Sequence, residues 1–246
     1  MSPPRTLKLT LEYDGTDYVG WQRQAEGVSI QGLLEDALAP FNGGPVTVHG
    51  AGRTDAGVHA LGQVASVTTT ATHDPGVLRR ALNAVLPVDV RIIRVEDAAP
   101  GFHARFDATA KTYEYRIVNA PFVSAFDHRY VWHVPGRLDI ETMREGAQAL
   151  RGTHDFAAFQ SAGGEVVSTE RTIHAIAISD APLVSVRVEG DGFLRHMVRT
   201  IAGTLVDVGL GRWPANHVAE ILASRDRATA GRAAPPTGLF LIAVTY

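Results

Sequence analysis

The stretch LKLTLEY, Leu7 to Tyr13, alternates without a break: Leu7, Leu9, Leu11 and Tyr13 face one way, and Lys8, Thr10 and Glu12 face the other. A period of two is that of a half-buried β-strand. Downstream, SIQGLLEDALAPF changes the period. Ile30, Leu33, Leu34, Ala37, Leu38 and Phe41 fall on one helical stripe, with Ser29 as the N-cap. VTVH and GQVASVTT read as a second and a third strand. DPGVLRRALNAVLP is a helix with Asp74 as its cap and Pro75 at its first position, carrying Val77, Leu78, Ala81, Leu82 and Val85 on its stripe. DVRIIRVE closes the run as a fourth strand.

That order, β-α-β-β-α-β, is the split βαβ or ferredoxin-like arrangement. The second half repeats it with additions. KTYEYRIV is a strand with Tyr113, Tyr115 and Ile117 on one face, and IETMREGAQAL is a helix capped by Asp139 and stopped near Gly152. RTIHAIAIS and LVSVRVE are strands joined across DAP, with a possible extra strand near YVWHV. FLRHMVRTIAGTLVDV reads as a helix with Leu194, Met197, Val198, Ile201, Ala202, Leu205 and Val206 on its stripe, WPANHVAEILASR as another, and LFLIAVTY as the closing strand. The expected fold is therefore α+β: two ferredoxin-like halves, residues 1–108 and 109–246, whose mainly antiparallel sheets flank a central cleft. The boundary falls near FDATA, Phe106 to Ala110.

With 246 residues, 45% of them hydrophobic, the chain can bury a sizeable core. A net charge of −3 announces no global basic field, although a local basic cleft remains open. Of 23 basic residues two are lysine, Lys8 and Lys111, leaving 21 arginines. Arginine suits bidentate phosphate recognition, but the abundant alanine beside it points to a GC-rich coding bias as the plainer source of the excess. There is no cysteine, which excludes disulfides, thiolate metal sites and a cysteine nucleophile. The ten histidines show no metal-ligand spacing, so no metal is expected. MSPPRTLKLTLEY lacks a signal pattern, and no apolar run reaches the length of a membrane span. A soluble cytoplasmic protein is the expectation.

GAGRTDAGVHA, Gly50 to Ala60, lies in the connection between the second and third strands. It is not a P-loop, because no Gly-Lys-Ser/Thr follows. Nor is it a dinucleotide fingerprint, because it opens no helix within a βαβ crossover. Gly50, Gly52 and Gly57 permit positive φ and close approach of another molecule. Read as plain structure, this is a glycine-rich loop with Asp55 as a turn residue and Arg53 as its surface partner. Read as chemistry, it holds out a carboxylate beside a guanidinium, and an ionised carboxylate acts as nucleophile or base.

With this loop the chain resembles the tRNA pseudouridine synthase A family. YDGTDYVGWQRQ (Tyr13–Gln24), FHARFDATAKTYEYRI (Phe102–Ile117), GTHDFAAF (Gly152–Phe159), GFLRHMVRTIAGTL (Gly192–Leu205) and the closing APPTGLFLIAVTY are similar to family segments, in family order. The stretch from Asn119 to Pro135 is the least informative. The resemblance implies isomerisation of uridine to pseudouridine at nucleotides 38, 39 and 40 of the tRNA anticodon stem-loop, with no cofactor and no metal. It implies that Asp55 is the catalytic aspartate and Tyr113 lies against the target uracil. Arg199 would pair with the aspartate, and Arg53 would help to hold the base out of the stack. It also implies a homodimer that holds one tRNA across both subunits.

The residues suit that assignment. The reaction breaks the bond from ribose C1′ to uracil N1, turns the base and rejoins it through C5. Attack at C1′, attack at C6 and glycal formation all begin with an ionised carboxylate. A nucleotide in a stem must be flipped out at a cost of a few kcal/mol, and an aromatic ring holds it by stacking worth about 1–3 kcal/mol. On this reading the glycines around Asp55 give clearance to the extruded nucleotide. Arg195 is expected one turn before Arg199 on one helical face.

From pattern alone Tyr113 reads as a strand-core residue and Arg199 as a solvated one. Arg225, Arg227 and Arg232 read as a surface or phosphate-contacting patch, and His154 beside Asp155 reads as structural rather than as a dyad. Two rival functions remain. A glycosylase would use Asp55 with a second carboxylate that this loop does not offer, and an RRM-type binding module would need an aromatic strand motif that is absent.

Overall fold

The structure is a computed structural model describing residues 3–163 and 167–246; the first two residues of the amino-terminal stretch read above lie outside the described residues. It is a mixed α+β structure with mainly antiparallel strand pairing and five α-helices among the described residues. The chain divides into two compact units, one formed by the chain through Thr109 with Leu241–Tyr246, the other by Ala110–Phe240.

In the first unit β1 (Arg5–Tyr13), α1 (Ile30–Asn42), β2 (Val48–Gly50), β3 (His59–Thr69), α2 (Pro75–Val85) and β4 (Val90–Ala98) follow in the order read from the sequence. β1 lies between β3 and β4, and β2 pairs with β3, all antiparallel. Leu7, Leu9 and Leu11 are fully buried, each contributing roughly 1.5–3 kcal/mol. The Ser29 hydroxyl accepts from the Gly32 N–H at the start of α1, and Gly43, at φ 72°, ends that helix in the left-handed region. Asp74 accepts from the Gly76 and Val77 N–H groups at the start of α2. The α2 stripe is narrower than expected. Only Leu78 and Leu82 are buried, while Val77 and Val85 are exposed, because α2 packs chiefly along the single strand β4.

In the second unit β5 (Ala110–Val118) buries Tyr113, Tyr115 and Ile117, and the short β6 (Trp132–His133) runs parallel beside it. Then come α3 (Ile140–Gln148), capped by Asp139 on the Thr142 N–H, and β7 (Gly152–Asp155), a strand that periodicity did not reveal. β8 (Glu170–Ser179) and β9 (Val184–Gly190) complete the order β5-β9-β8-β7.

α4 (Met197–Gly209) and α5 (His217–Ser224) follow. α4 begins four residues later than the stripe from Phe193 suggests, because His196 sits in the left-handed region at φ 61°. β10 (Leu239–Thr245) returns its residues from Leu241 onward to the first unit, where the Thr109 N–H donates to the Thr245 carbonyl at 2.8 Å. Among the described residues no helix is long and apolar enough to cross a membrane.

Candidate active site

The loop carrying Asp55 leaves β2 at Gly50 and enters β3 at His59. It is held from below by the connection between β1 and α1. The Trp21 N–H donates to the Thr54 carbonyl at 3.0 Å. The Trp21 indole lies where a side chain on Gly50 would be, 2.4 Å from an ideal Cβ there. Gly20, at φ +104°, is pressed on the loop backbone: a Cβ there would stand 2.6 Å from the Thr54 carbonyl oxygen and 3.0 Å from the Asp55 carbonyl carbon. Gly15 meets the loop at Val58 in the same way, with its Cβ 2.0 Å from the Val58 oxygen. At Gly50 the space left by the missing side chain is thus filled by protein.

Beneath the loop lies a buried polar group. Leu11 pairs with Gln63 and Tyr13 with Ala60, so the ladder between β1 and β3 slips by one residue there. The Tyr13 and Thr54 hydroxyls are 2.8 Å apart, and Gln63 Nε2 donates to Tyr13 at 3.3 Å and to the Gly52 carbonyl at 2.9 Å. Burial pushes the Tyr13 phenol up to about 12, against the smaller opposing pull of Thr54 and Gln63. His59 Nδ1 accepts the Gly15 N–H at 3.1 Å. That leaves no proton on Nδ1 for Asp14 Oδ1, also 3.1 Å away, so this contact is not an ion pair in that tautomer. Above this base Asp55 is half-buried. Arg53 is exposed and makes no hydrogen bond or ion pair with another described residue.

Tyr113 and Arg199 belong to the second unit. Tyr113, 7% exposed, pairs with Val188 across β5 and β9 and meets Phe193 edge to face at 5.2 Å. Arg199 stands in the first turn of α4. From Met197 to Gly209 every other residue of that helix is buried, so α4 has no solvated face on which Arg199 is merely a surface residue. Its Nε donates to the Ala234 carbonyl at 2.7 Å, and the Ala234 N–H returns a bond to the Arg199 carbonyl at 3.0 Å, which fixes the guanidinium. Beside it the Tyr115 hydroxyl donates to the Pro235 carbonyl at 2.7 Å. Burial drives that phenol far up, while the nearby cations Arg199 and Arg232 pull the other way.

Arg195 does not share a helical face with Arg199. It precedes the left-handed turn at His196, and its Nη1 donates to the Ala162 carbonyl at 3.0 Å. His154 and Asp155 form no dyad: His154 Nε2 is 2.9 Å from the Arg151 carbonyl, whereas Asp155 accepts from Thr169 Oγ1 at 2.6 Å and pairs with Arg225 at 3.2 Å. The Thr169 hydroxyl is the main reason the Asp155 carboxyl lies below its ordinary range. Arg225 is thereby committed, and Arg232 lies over the Trp132 ring at 5.0 Å. Arg227 donates to the Ala230 carbonyl at 3.4 Å. Among the described residues no group of three or more His, Asp or Glu is placed to hold a metal ion.

Periodicity put Tyr13 on the inward face of β1 but did not reveal Gly15, Gly20 and Trp21, which clamp the loop, or Thr54 and Gln63, which with Tyr13 underpin it. Two signals pointed there: Tyr13–Gln24 is one of the segments similar to the family, and residues 14–29 form a long connection without helix or strand, of the kind that often serves a site.

A family model described as tRNA pseudouridine synthase matches residues 10–107 and 147–246 of the chain. A protein named tRNA pseudouridine synthase A from Geobacter sulfurreducens is 45% identical over 98% of this chain and 100% of its own length. One of that name from Thermoanaerobacter sp. is 43% identical over the same shares. A third, named tRNA pseudouridine synthase A 2, from Clostridium perfringens, is 44% identical, again over 98% and 100%.

Proposed function

The chain belongs to the tRNA pseudouridine synthase family, and from that premise we propose that it isomerises uridines 38, 39 and 40 of the tRNA anticodon stem-loop, with Asp55 as the nucleophile and the target base flipped out. The enzyme is an isomerase that acts on tRNA. The observation that carries the finer reading is the clamped Asp55 loop. A half-buried carboxylate stands on backbone pressed against Gly15 and Gly20, over the buried hydroxyls of Tyr13 and Thr54. Such support holds a reacting group in place without making it rigid by burial alone.

In this reading Asp55 attacks either the sugar or the base, or opens the route through a glycal. Tyr113 stacks on the detached uracil and keeps it in place while it turns. Arg199 balances the carboxylate. An arginine in the first turn of a helix is disfavoured by the macrodipole by about 0.3–1 kcal/mol, so its place there is better accounted for by an anionic partner than by helix stability. Arg53, exposed and uncommitted, braces the space that the flipped nucleotide vacates. The groups are carried by two ferredoxin-like halves, 1–108 and 109–246; the end of the last strand belongs with the first compact unit. The chain acts in the cytoplasm as a homodimer that holds one tRNA across both subunits, and needs no cofactor.

The test uses tRNA tritiated at uridine C5. Isomerisation releases tritium to water and no free uracil, whereas a glycosylase releases uracil. Asp55→Asn is expected to abolish tritium release and to retain tRNA binding. Full release by that variant would remove Asp55 from its role, and no release by the wild type on any tRNA would end the reading.

A further inference from the structure

In the first unit Lys8 on β1, Ser66 on β3 and His49 on β2 are paired neighbours and form one row across the sheet, on the face opposite Leu7, Leu9 and Leu11. The segment from Phe102 to Phe106 is anchored there. The Ala104 N–H donates to Ser66 Oγ at 3.0 Å, and Ala104 packs with Ala51, Val64 and Phe102. Ala51 is also the first residue of the loop that leads to Asp55.

From this anchorage a stack of rings rises into solvent. The His49 and His103 rings are 4.8 Å apart and inclined by 32°; the His103 and Phe106 rings are 4.3 Å apart and inclined by 30°. Arg105 Cζ lies 5.7 Å from the centre of the Phe106 ring. Phe106 is 74% exposed, so core packing does not account for its position. The turn is held by its own bonds: His103 Nδ1 accepts from the Arg105 and Phe106 N–H groups at 3.1 and 3.4 Å, and Asp107 Oδ2 accepts the His103 N–H at 2.9 Å. The turn that carries the ring is therefore held before any partner arrives, which lowers the ordering cost of binding.

We propose that this exposed stack is an RNA subsite, in which an unpaired nucleobase lies on Phe106 and its phosphate is held by Arg105. The inference rests on the reading of the chain as an enzyme acting on tRNA. Tilted rings 4.3–4.8 Å apart, the outermost of them exposed and with a guanidinium alongside, match a nucleotide, which has a flat face and an anionic phosphate. The place fits as well, because the stack shares its footing on Ala51 with the Asp55 loop. The subsite would grip RNA flanking the target uridine.

The test measures binding of labelled, unmodified tRNA to the full chain in an Asp55→Asn background, so that affinity is read without turnover. Phe106→Ala is expected to weaken binding roughly 5- to 150-fold, the loss of one base stack. Phe106→Leu should lose as much, because an aliphatic side chain offers no stacking face, and Phe106→Trp should restore affinity. Arg105→Gln should lower the slope of log K against log salt by about one. Wild-type affinity in Phe106→Leu would overturn the proposal. So would a loss of affinity that merely follows a change in sedimenting mass, since the face would then be a protein interface. Tritium release by the unmutated chain, run in parallel, separates the two readings: release with no Phe106 effect sinks the subsite alone, and a Phe106 effect without release sinks the isomerase reading alone.

Discussion

Replacing Gly20 with alanine should disable the enzyme without touching a reacting group. The added Cβ would stand 2.6 Å from the Thr54 carbonyl oxygen, 3.0 Å from the Asp55 carbonyl carbon and 3.1 Å from the Ala56 nitrogen, all of them backbone atoms. Backbone cannot rotate aside as a flexible side chain can. The residue also holds φ +104°, a conformation that costs an alanine about 1–3 kcal/mol. Overlap relieved by moving the loop adds about 1–3 kcal/mol. At about 2–4 °C per kcal/mol for a chain of this size, the melting temperature should fall by roughly 5–20 °C.

The loop that yields carries Asp55, and a displacement near 1 Å costs about 100-fold in rate. Gly43→Ala is the matched control: Gly43 has φ +72° with nothing within 4 Å of the added carbon, so it carries strain without collision. It should lose about 1 kcal/mol and keep wild-type turnover. The assays are thermal unfolding by circular dichroism and C5-tritium release at a temperature where both variants are folded. If Gly20→Ala turns over tRNA like Gly43→Ala, the backbone clamp does not position Asp55 and the argument for it fails.

Tyr13→Phe should remove a pH dependence. The phenol is raised from 10.0 to about 12 in the folded protein, so it contributes stability that is complete below about pH 10 and is lost as pH climbs to about 12. Urea titrations at pH 8 and pH 11 should show a shallower loss in the variant, together with a cost of about 1–3 kcal/mol at pH 8 from stranding Thr54 and Gln63; equal slopes in the two proteins would contradict the burial of that hydroxyl. Binding of tRNA should weaken steeply with salt, and Arg53→Gln should reduce the log–log slope by about one. An unchanged slope would take Arg53 off the RNA.

Apart from β7, the order of strands and helices could be read from the chain alone, as could the caps Ser29, Asp74 and Asp139 and the face of β5 that carries Tyr113 and Tyr115. These features are local: alternation, a helical stripe and a cap two or three residues from its N–H are all written within one short segment. The same holds for the motif that singles out Asp55. The remaining features needed contacts between residues far apart in the chain. Nothing near His196 marks it as the residue that delays α4 and takes Arg195 off the helix. Arg199 sits on a stripe-bearing segment like any surface arginine, and only the burial of all the rest of α4 makes it an exception. The glycines tell the same story. From composition they are slack in a loop; in the fold, Gly50 is closed by Trp21, and Gly15 and Gly20 press on a loop more than thirty residues downstream. Close backbone approach has no period and no composition, so only the tertiary structure could reveal what keeps Asp55 in place.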